Sequence, residues 1–360
     1  MRRIARQRRA ILVLNRSIHR RALFLLLVVG AACAAHAGSI TSNDPPVATL
    51  ADGRTGTIAF EALTPKHSLD LVQEKSAETS VIAGVLTLPK STTAADTPRV
   101  KFPAMVVVHG SSGVSRNGWE WAKRLNEMGV ATFVIDNFSG RGVRETATDQ
   151  SRLSPAADAA GALAALRLLA THPAIDPKRI GVIGFSRGGS AAINSALEPI
   201  RRAVIDDDLR FAAHIALYPG CGVPYVAARL DGSPILMLLG GKDDYTPASN
   251  CVAYADQLRA RGASIRVVVY PNANHAFDSD VPPHFRPEPT TLHDCHGEID
   301  LDAGSLTVES GGQTVKGADA AVALKQCAER GVTVGGDPEA REKAPHEVAD
   351  FLKPIFSLAQ

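Results

Sequence analysis

A chain of 360 residues, 45% hydrophobic and 21% charged, has the composition of an ordinary globular protein rather than a disordered or fibrous one. Its 39 basic and 37 acidic residues nearly balance, but eight arginines crowd into residues 1–21, which hold no acid. Without that segment, 31 basic residues face 37 acidic ones. The net charge is then near −6 with neutral histidines, which leaves no basic surplus for binding nucleic acid.

The arginine-rich start runs into the apolar stretch ALFLLLVVGAACAA and then AHA before Gly38. A basic segment, a short apolar core and a small-x-small exit describe a secretory signal over residues 1–37, cleaved after Ala37. The expected destination is the periplasm or the cell exterior. The apolar run falls short of the roughly 20 residues that span a bilayer, so no membrane span is expected after cleavage; a signal anchor is the alternative. Arg20-Arg21 ahead of Leu23-Phe24 loosely resembles a twin-arginine signal, and Cys33 suits a lipoprotein motif only poorly because of Gly30.

Four cysteines remain beyond the signal: Cys221, Cys251, Cys295 and Cys327. An even number in an oxidising compartment suggests two disulfides, for which three connectivities exist. Pairing within local regions favours Cys221–Cys251 and Cys295–Cys327. The segment His293-Asp294-Cys295-His296 offers metal-ligand types, but its spacing fits no standard zinc pattern. No metal and no organic cofactor are expected.

Residues 38–60 are polar, with Pro45-Pro46, and read as a surface lead-in that extends to residue 79. VIAGVLTLP (81–89) alternates as a strand, and AMVVVHGSSG (104–113) reads as a buried strand ending in a turn. A helix over 118–128 stops at Gly129 before the strand VATFVID (130–136). PAADAAGALAALRLLATHP (155–173) is a helix bounded by prolines. RIGVIGF (179–185) is a strand with a helix directly behind it. Strands at 211–220, 234–241 and 265–277, a helix at 249–261 and a closing helix at 346–356 complete the order. Apolar strands alternating with helices predict an α/β fold with a mostly parallel sheet and helices on both faces, over residues 80–360. In such sheets ligands bind beyond the carboxyl ends of the strands. HGSSG, GFSRGG, GGKDD and PNANHAF all lie there.

In G-F-S-R-G, Ser186 stands where a strand turns into a helix, flanked by Gly184 and Gly188 at positions where a side chain would block the turn. A serine hydroxyl needs a base, itself oriented by a carboxylate. Asp243 and His275 follow two successive strands, in the order serine, acid, histidine that α/β-hydrolases use. Asp244 is the competing acid, and His109, ahead of the serine, suits a structural role. The backbone N–H groups of Arg187 and Ser111 are the expected oxyanion donors. Arg141, Arg187 and Tyr245 lie on rim loops where they could recognise a carboxylate or polar acyl group.

Taken together, HGSSG, DNFSGRGV (136–143), SPAADAAGALAAL, HPAIDPKRIGVIGFSRGG, YPGCG, GGKDDYTPASNC and NANHAFD resemble the dienelactone hydrolase family of α/β-hydrolases, in its exported branch. The resemblance runs from about residue 80 to 278 and resumes near 335–356. By position it implies Ser186 as nucleophile, Asp243 as acid and His275 as base. It also implies pairing of Cys221 with Cys251. The namesake enzymes carry a cysteine nucleophile and a glutamate after the early central strand, whereas this chain has Ser186 and HGSSG. A general serine esterase acting on a small ester or lactone is therefore expected, with a peptidase or amidase, or a silent binding protein, as alternatives. A second departure is residues 279–335, an insert with a possible strand pair around GEIDLDAGSLTVESG that could form a lid or an idle flap. The oligomeric state is not legible.

Overall fold

The computed structural model describes residues 38–73, 78–90 and 101–358; the proposed signal over residues 1–37 lies outside the described residues. The elements before the insert, in chain order, are β1 (Gly56–Thr64), α1 (Asp70–Gln73), β2 (Glu78–Thr87), β3 (Phe102–Val108), α2 (Arg116–Glu127), β4 (Ala131–Asp136), α3 (Pro155–Ala170), β5 (Ile175–Phe185), α4 (Arg187–Asn194), α5 (Glu198–Val204), β6 (His214–Leu217), β7 (Tyr225–Val226), β8 (Ile235–Gly240), α6 (Ala248–Ala260) and β9 (Ile265–Tyr270). The insert adds β10 (His284–Thr291), β11 (Gly297–Asp300), β12 (Ser305–Ser310), β13 (Gln313–Lys316), α7 (Gly317–Cys327) and β14 (Glu329–Val334), and α8 (Pro338–Phe356) closes the fold.

Eight strands form one sheet in the order β1-β2-β4-β3-β5-β6-β8-β9. From β4 to β9 every neighbouring pair is parallel, and β2 and β1 add an antiparallel edge. Because side chains alternate along a strand, β3 sends Ala104, Val106 and Val108 to one face and Met105 and Val107 to the other. The first face is covered by α3, α4 and α6, the second by α2 and α8. Helix α3 is buried nearly all round, as its run of alanines and leucines requires, since it packs against the sheet on one side and other helices on the other. Two core layers on one largely parallel sheet make this an α/β-hydrolase fold.

One boundary needs correction. The lead-in 38–79 is not merely a surface segment, because β1 pairs with β2 along nine residues. Leu50 is fully buried and its N–H donates to Thr171 Oγ1, while Ile40 N–H donates to Asp136 Oδ2. The short mixed run GTIAFEALT sits inside an otherwise polar lead-in, which concealed a strand defined by its pairing with β2.

The insert leaves the sheet after β9 and comes back to it beside the point of departure. Gly335 N–H donates to the His275 carbonyl at 2.8 Å, and Asp337 N–H to the Phe277 carbonyl at 2.9 Å. Between these ends, β10 pairs with β14, while β11, β12 and β13 form a small sheet that adds to β7 through a parallel Ile299–Tyr225 register.

Candidate active site

The strand β5 ends at Phe185 and α4 begins at Arg187, so the whole turn falls on Ser186, whose φ of 53° and ψ of −119° are strained for a residue with a Cβ. The turn is tight enough to need glycine on both sides. A Cβ on Gly184 would lie 1.9 Å from the Gly188 carbonyl oxygen, and one on Gly188 would lie 2.3 Å from that of Val108. The strain holds the hydroxyl clear of the sheet at the N-terminus of α4, where backbone N–H groups lack intrahelical partners.

His275 follows β9 and is almost fully buried. Its Nε2 is 2.9 Å from Ser186 Oγ, and its Nδ1 is 2.8 Å from Asp243 Oδ2. Asp243 follows β8, and its Oδ1 accepts the N–H groups of Tyr245 at 2.9 Å and Thr246 at 2.8 Å. These bonds aim the other oxygen at the imidazole. The neighbouring Asp244 faces elsewhere, accepting the N–H of Thr333 from β14. His109 donates from Nδ1 to the Gly110 carbonyl and accepts the Asn137 N–H at Nε2, which makes it a brace for the loop after β3.

Three residues around His275 were not singled out in the sequence. Thr246 Oγ1 lies 3.0 Å from both Asp243 Oδ2 and His275 Nδ1. The ring of Tyr218, with its own strained φ of 40°, meets the imidazole edge-on at 4.8 Å. Its phenol donates to the buried Asp278, which also receives Trp121 Nε1–H and Asn117 Nδ2–H. Burial, with the adjoining Asp278 carboxyl, pushes the Tyr218 phenol well up, so it remains protonated and keeps donating. The Asp243–Tyr245 bond, two residues on, is an Asx-turn, but nothing local announces the contact of Thr246 with the imidazole.

A cavity of about 320 Å³ opens beside Ser186, within the range of small-molecule sites. Ser111, Arg187 and Tyr245 all border it. Tyr245 also tilts over His275 at 4.7 Å, and its hydroxyl accepts from Gln150 Nε2. Two expectations for recognition need correction. Arg141 does not border the cavity: its guanidinium binds Thr64 Oγ1 and the carbonyls of Leu63 and Asn137, locking the loop after β4 to β1. The Arg187 side chain is equally committed, with Nε at 2.5 Å from Asp158 Oδ2 and its terminal nitrogens on Gln150 and the Leu153 carbonyl.

The insert supplies the facing wall through Thr290, Leu292, His293, Ile299 and Leu324. Thr291 Oγ1 donates to the Tyr245 carbonyl, Thr290 N–H to that of Ala147, and Asn250 Nδ2–H to that of His293. Disulfides Cys221–Cys251 and Cys295–Cys327 brace the two sides. Cys295 is thereby unavailable as a metal ligand. His293 instead lies near Asp294 and Glu329, whose carboxylates reach it at 3.1 and 3.7 Å.

A parallel α/β sheet presenting a Ser–His–Asp chain at its carboxyl rim defines an α/β-hydrolase. Within that class the chain belongs to the dienelactone hydrolase family, whose profile matches residues 90–293. The "Putative carboxymethylenebutenolidase" of Methylorubrum extorquens is 30% identical over 198 residues, covering 52% of this chain and 67% of that protein. Its namesake in Yersinia pestis is 25% identical over 230 residues, covering 62% and 86%. A solved structure called m3DLH shares the fold with a TM-score of 0.51 at 19% identity, covering 84% of this chain and 99% of that one. As a member of this family the protein is a hydrolase of carboxylic esters. The matched region ends at residue 293, so most of the insert lies beyond it.

Proposed function

We propose that this protein is an exported serine hydrolase that cleaves a small carboxylic ester or lactone through an acyl-enzyme. The observation that carries this reading is the continuous hydrogen-bonded chain from Ser186 through His275 to Asp243. With Nδ1–H donated to Asp243, the imidazole keeps Nε2 free to take the Ser186 proton as Oγ attacks the carbonyl carbon. Negative charge then develops on the substrate oxygen, where the N–H groups of Arg187 and Ser111 stabilise it. Collapse breaks the ester bond, and His275 returns its proton to the leaving alkoxide. Water then attacks the acyl-enzyme, with His275 again taking a proton and handing it to Ser186 as the acid departs. Nothing in these steps calls on a metal or an organic cofactor.

Export rests on the arginine-rich, apolar and small-residue pattern of residues 1–37, with cleavage after Ala37. Two disulfides suit an oxidising compartment, and among the described residues no helix is long and apolar enough to cross a membrane. The mature chain would then be a single α/β-hydrolase domain with residues 279–335 as its cavity wall.

The test is to express residues 38–360 in an oxidising compartment and assay nitrophenyl esters of graded acyl length. Ser186→Ala should reduce kcat on the order of 10⁵-fold or more, and a fluorophosphonate should label Ser186 alone. A wild type that neither turns over any ester nor takes the label would sink the reading.

A further inference from the structure

Resting on the serine-hydrolase reading, we infer that the acyl arm entering the cavity is uncharged and largely apolar, and that this enzyme rejects acyl groups ending in a carboxylate. The argument starts from the charges that border the cavity. Among its described lining residues there is no carboxylate and one permanent cation, Arg187. Four of the five N–H donors of that guanidinium are already given to protein acceptors. Nε is given to Asp158, one terminal nitrogen to both the carbonyl and Oε1 of Gln150, and the other to the Leu153 carbonyl. The Asp158 carboxylate also neutralises it, since both side chains are buried together. Arg141, the other cation expected near the rim, is locked to β1.

Among the described lining residues His293 is the only other basic group. Asp294 and Glu329 both face its Nε2, so a substrate carboxylate there would meet two carboxylates already in place. Opposite Ser186 the insert contributes Leu292, Ile299 and Leu324, and α4 contributes the buried Ile193. A carboxylate pushed into the cavity would lose its water and meet neutral donors such as Asn194, Tyr225 and Asn250 but no free cation to offset its charge, whereas a methyl or methylene would gain contact area against the apolar groups. The insert thus makes the cavity one for uncharged acyl groups.

The experiment compares three nitrophenyl esters on the mature protein: hexanoate, 5-oxohexanoate and hemiglutarate. The second and third have nearly the same shape and differ by a full negative charge, so size is held constant. After subtraction of the uncatalysed rate, kcat/KM for each neutral ester should exceed that for hemiglutarate by about 100-fold. Leu324→Lys, which places a cation on the wall, should raise hemiglutarate relative to hexanoate by about tenfold. Hemiglutarate cleaved as well as the neutral pair by the wild type overturns the inference whatever the variant does. So does rejection of 5-oxohexanoate alongside hemiglutarate, since polarity rather than charge would then be excluded. If none of the three is cleaved while fluorophosphonate still labels Ser186, the hydrolase reading stands and this one falls. Absence of both turnover and labelling removes the underlying reading and this inference with it.

Discussion

Two walls face each other across the cavity, and they are built differently. The wall that bears Ser186, Asp243 and His275 is made from the ends of β5, β8 and β9, in a sheet whose strands β3, β4, β6 and β8 are almost wholly buried. Its geometry is set by the backbone: a left-handed turn at Ser186, flanking glycines with no space for a Cβ, and main-chain N–H groups on Asp243. The wall that bears Leu292, Ile299 and Leu324 hangs from the rim on a few threonine and asparagine bonds and a two-residue parallel pairing, while the Cys295–Cys327 bridge ties the insert to itself. The first wall is rigid because a large core surrounds it; the second is held by local ties with a small core of its own around Val308, Ala320 and Ala323. On the proposed function, chemistry belongs to the wall set in the sheet, and selection of the acyl arm to the wall held by local ties.

That division is open to attack from either side. Asp243→Asn should lower kcat by about 10⁴-fold while leaving KM and the thermal midpoint nearly unchanged, because the imidazole loses its tautomer but not its place. Steady-state kinetics and a melting curve check this; a large KM change would mean the two walls are not separable. Thr246→Val should cost about tenfold in kcat, also at constant KM, since its hydroxyl supports both Asp243 and His275. Replacing Cys295 and Cys327 together by serine should change kcat by less than about threefold but flatten the preference among acyl lengths. Hydrogen exchange should then rise in the insert and stay slow in β3 and β5. Faster exchange in those strands would show that the bridge supports the core as well.

The smallest effect concerns pH, away from both walls. Hydrogen bonding to Arg201, then to Arg202, holds Glu198 at about 2, against an ordinary value of 4.5. The unfolded chain therefore takes up this proton first. The stability Glu198 contributes is complete above about pH 4.5 and drains away as pH falls toward 2. Denaturant titrations of Glu198→Gln should show a shallower acid decline in that window and no change in ester turnover at neutral pH.

Much of the sheet was legible because its strands are continuous apolar runs bounded by glycine, proline and polar turns, and the helices between them carry clear ends. The rim residues were legible for the same reason: a strand end marks where a functional side chain can emerge. What escaped is what depends on contacts distant in sequence. β1 was concealed because its short mixed run, GTIAFEALT, sits inside an otherwise polar lead-in and is defined by pairing with β2. Arg141 looked available because its partners, Leu63 and Thr64, stand more than seventy positions away. Tyr218 and Asp278 gave no local sign of meeting behind His275, and the insert's role as a wall required knowing that β11 would find β7.

The hydrogen bond from Gly335 to the carbonyl of His275 makes the two ends of the insert next-door neighbours on the hydrolase frame. An excursion that departs and returns at one place asks nothing of the strands beneath it, however long it is. The position works as a socket: lineages could exchange the segment mounted there, lengthening, shortening or replacing it, and acquire a new diet of esters while inheriting the same reaction.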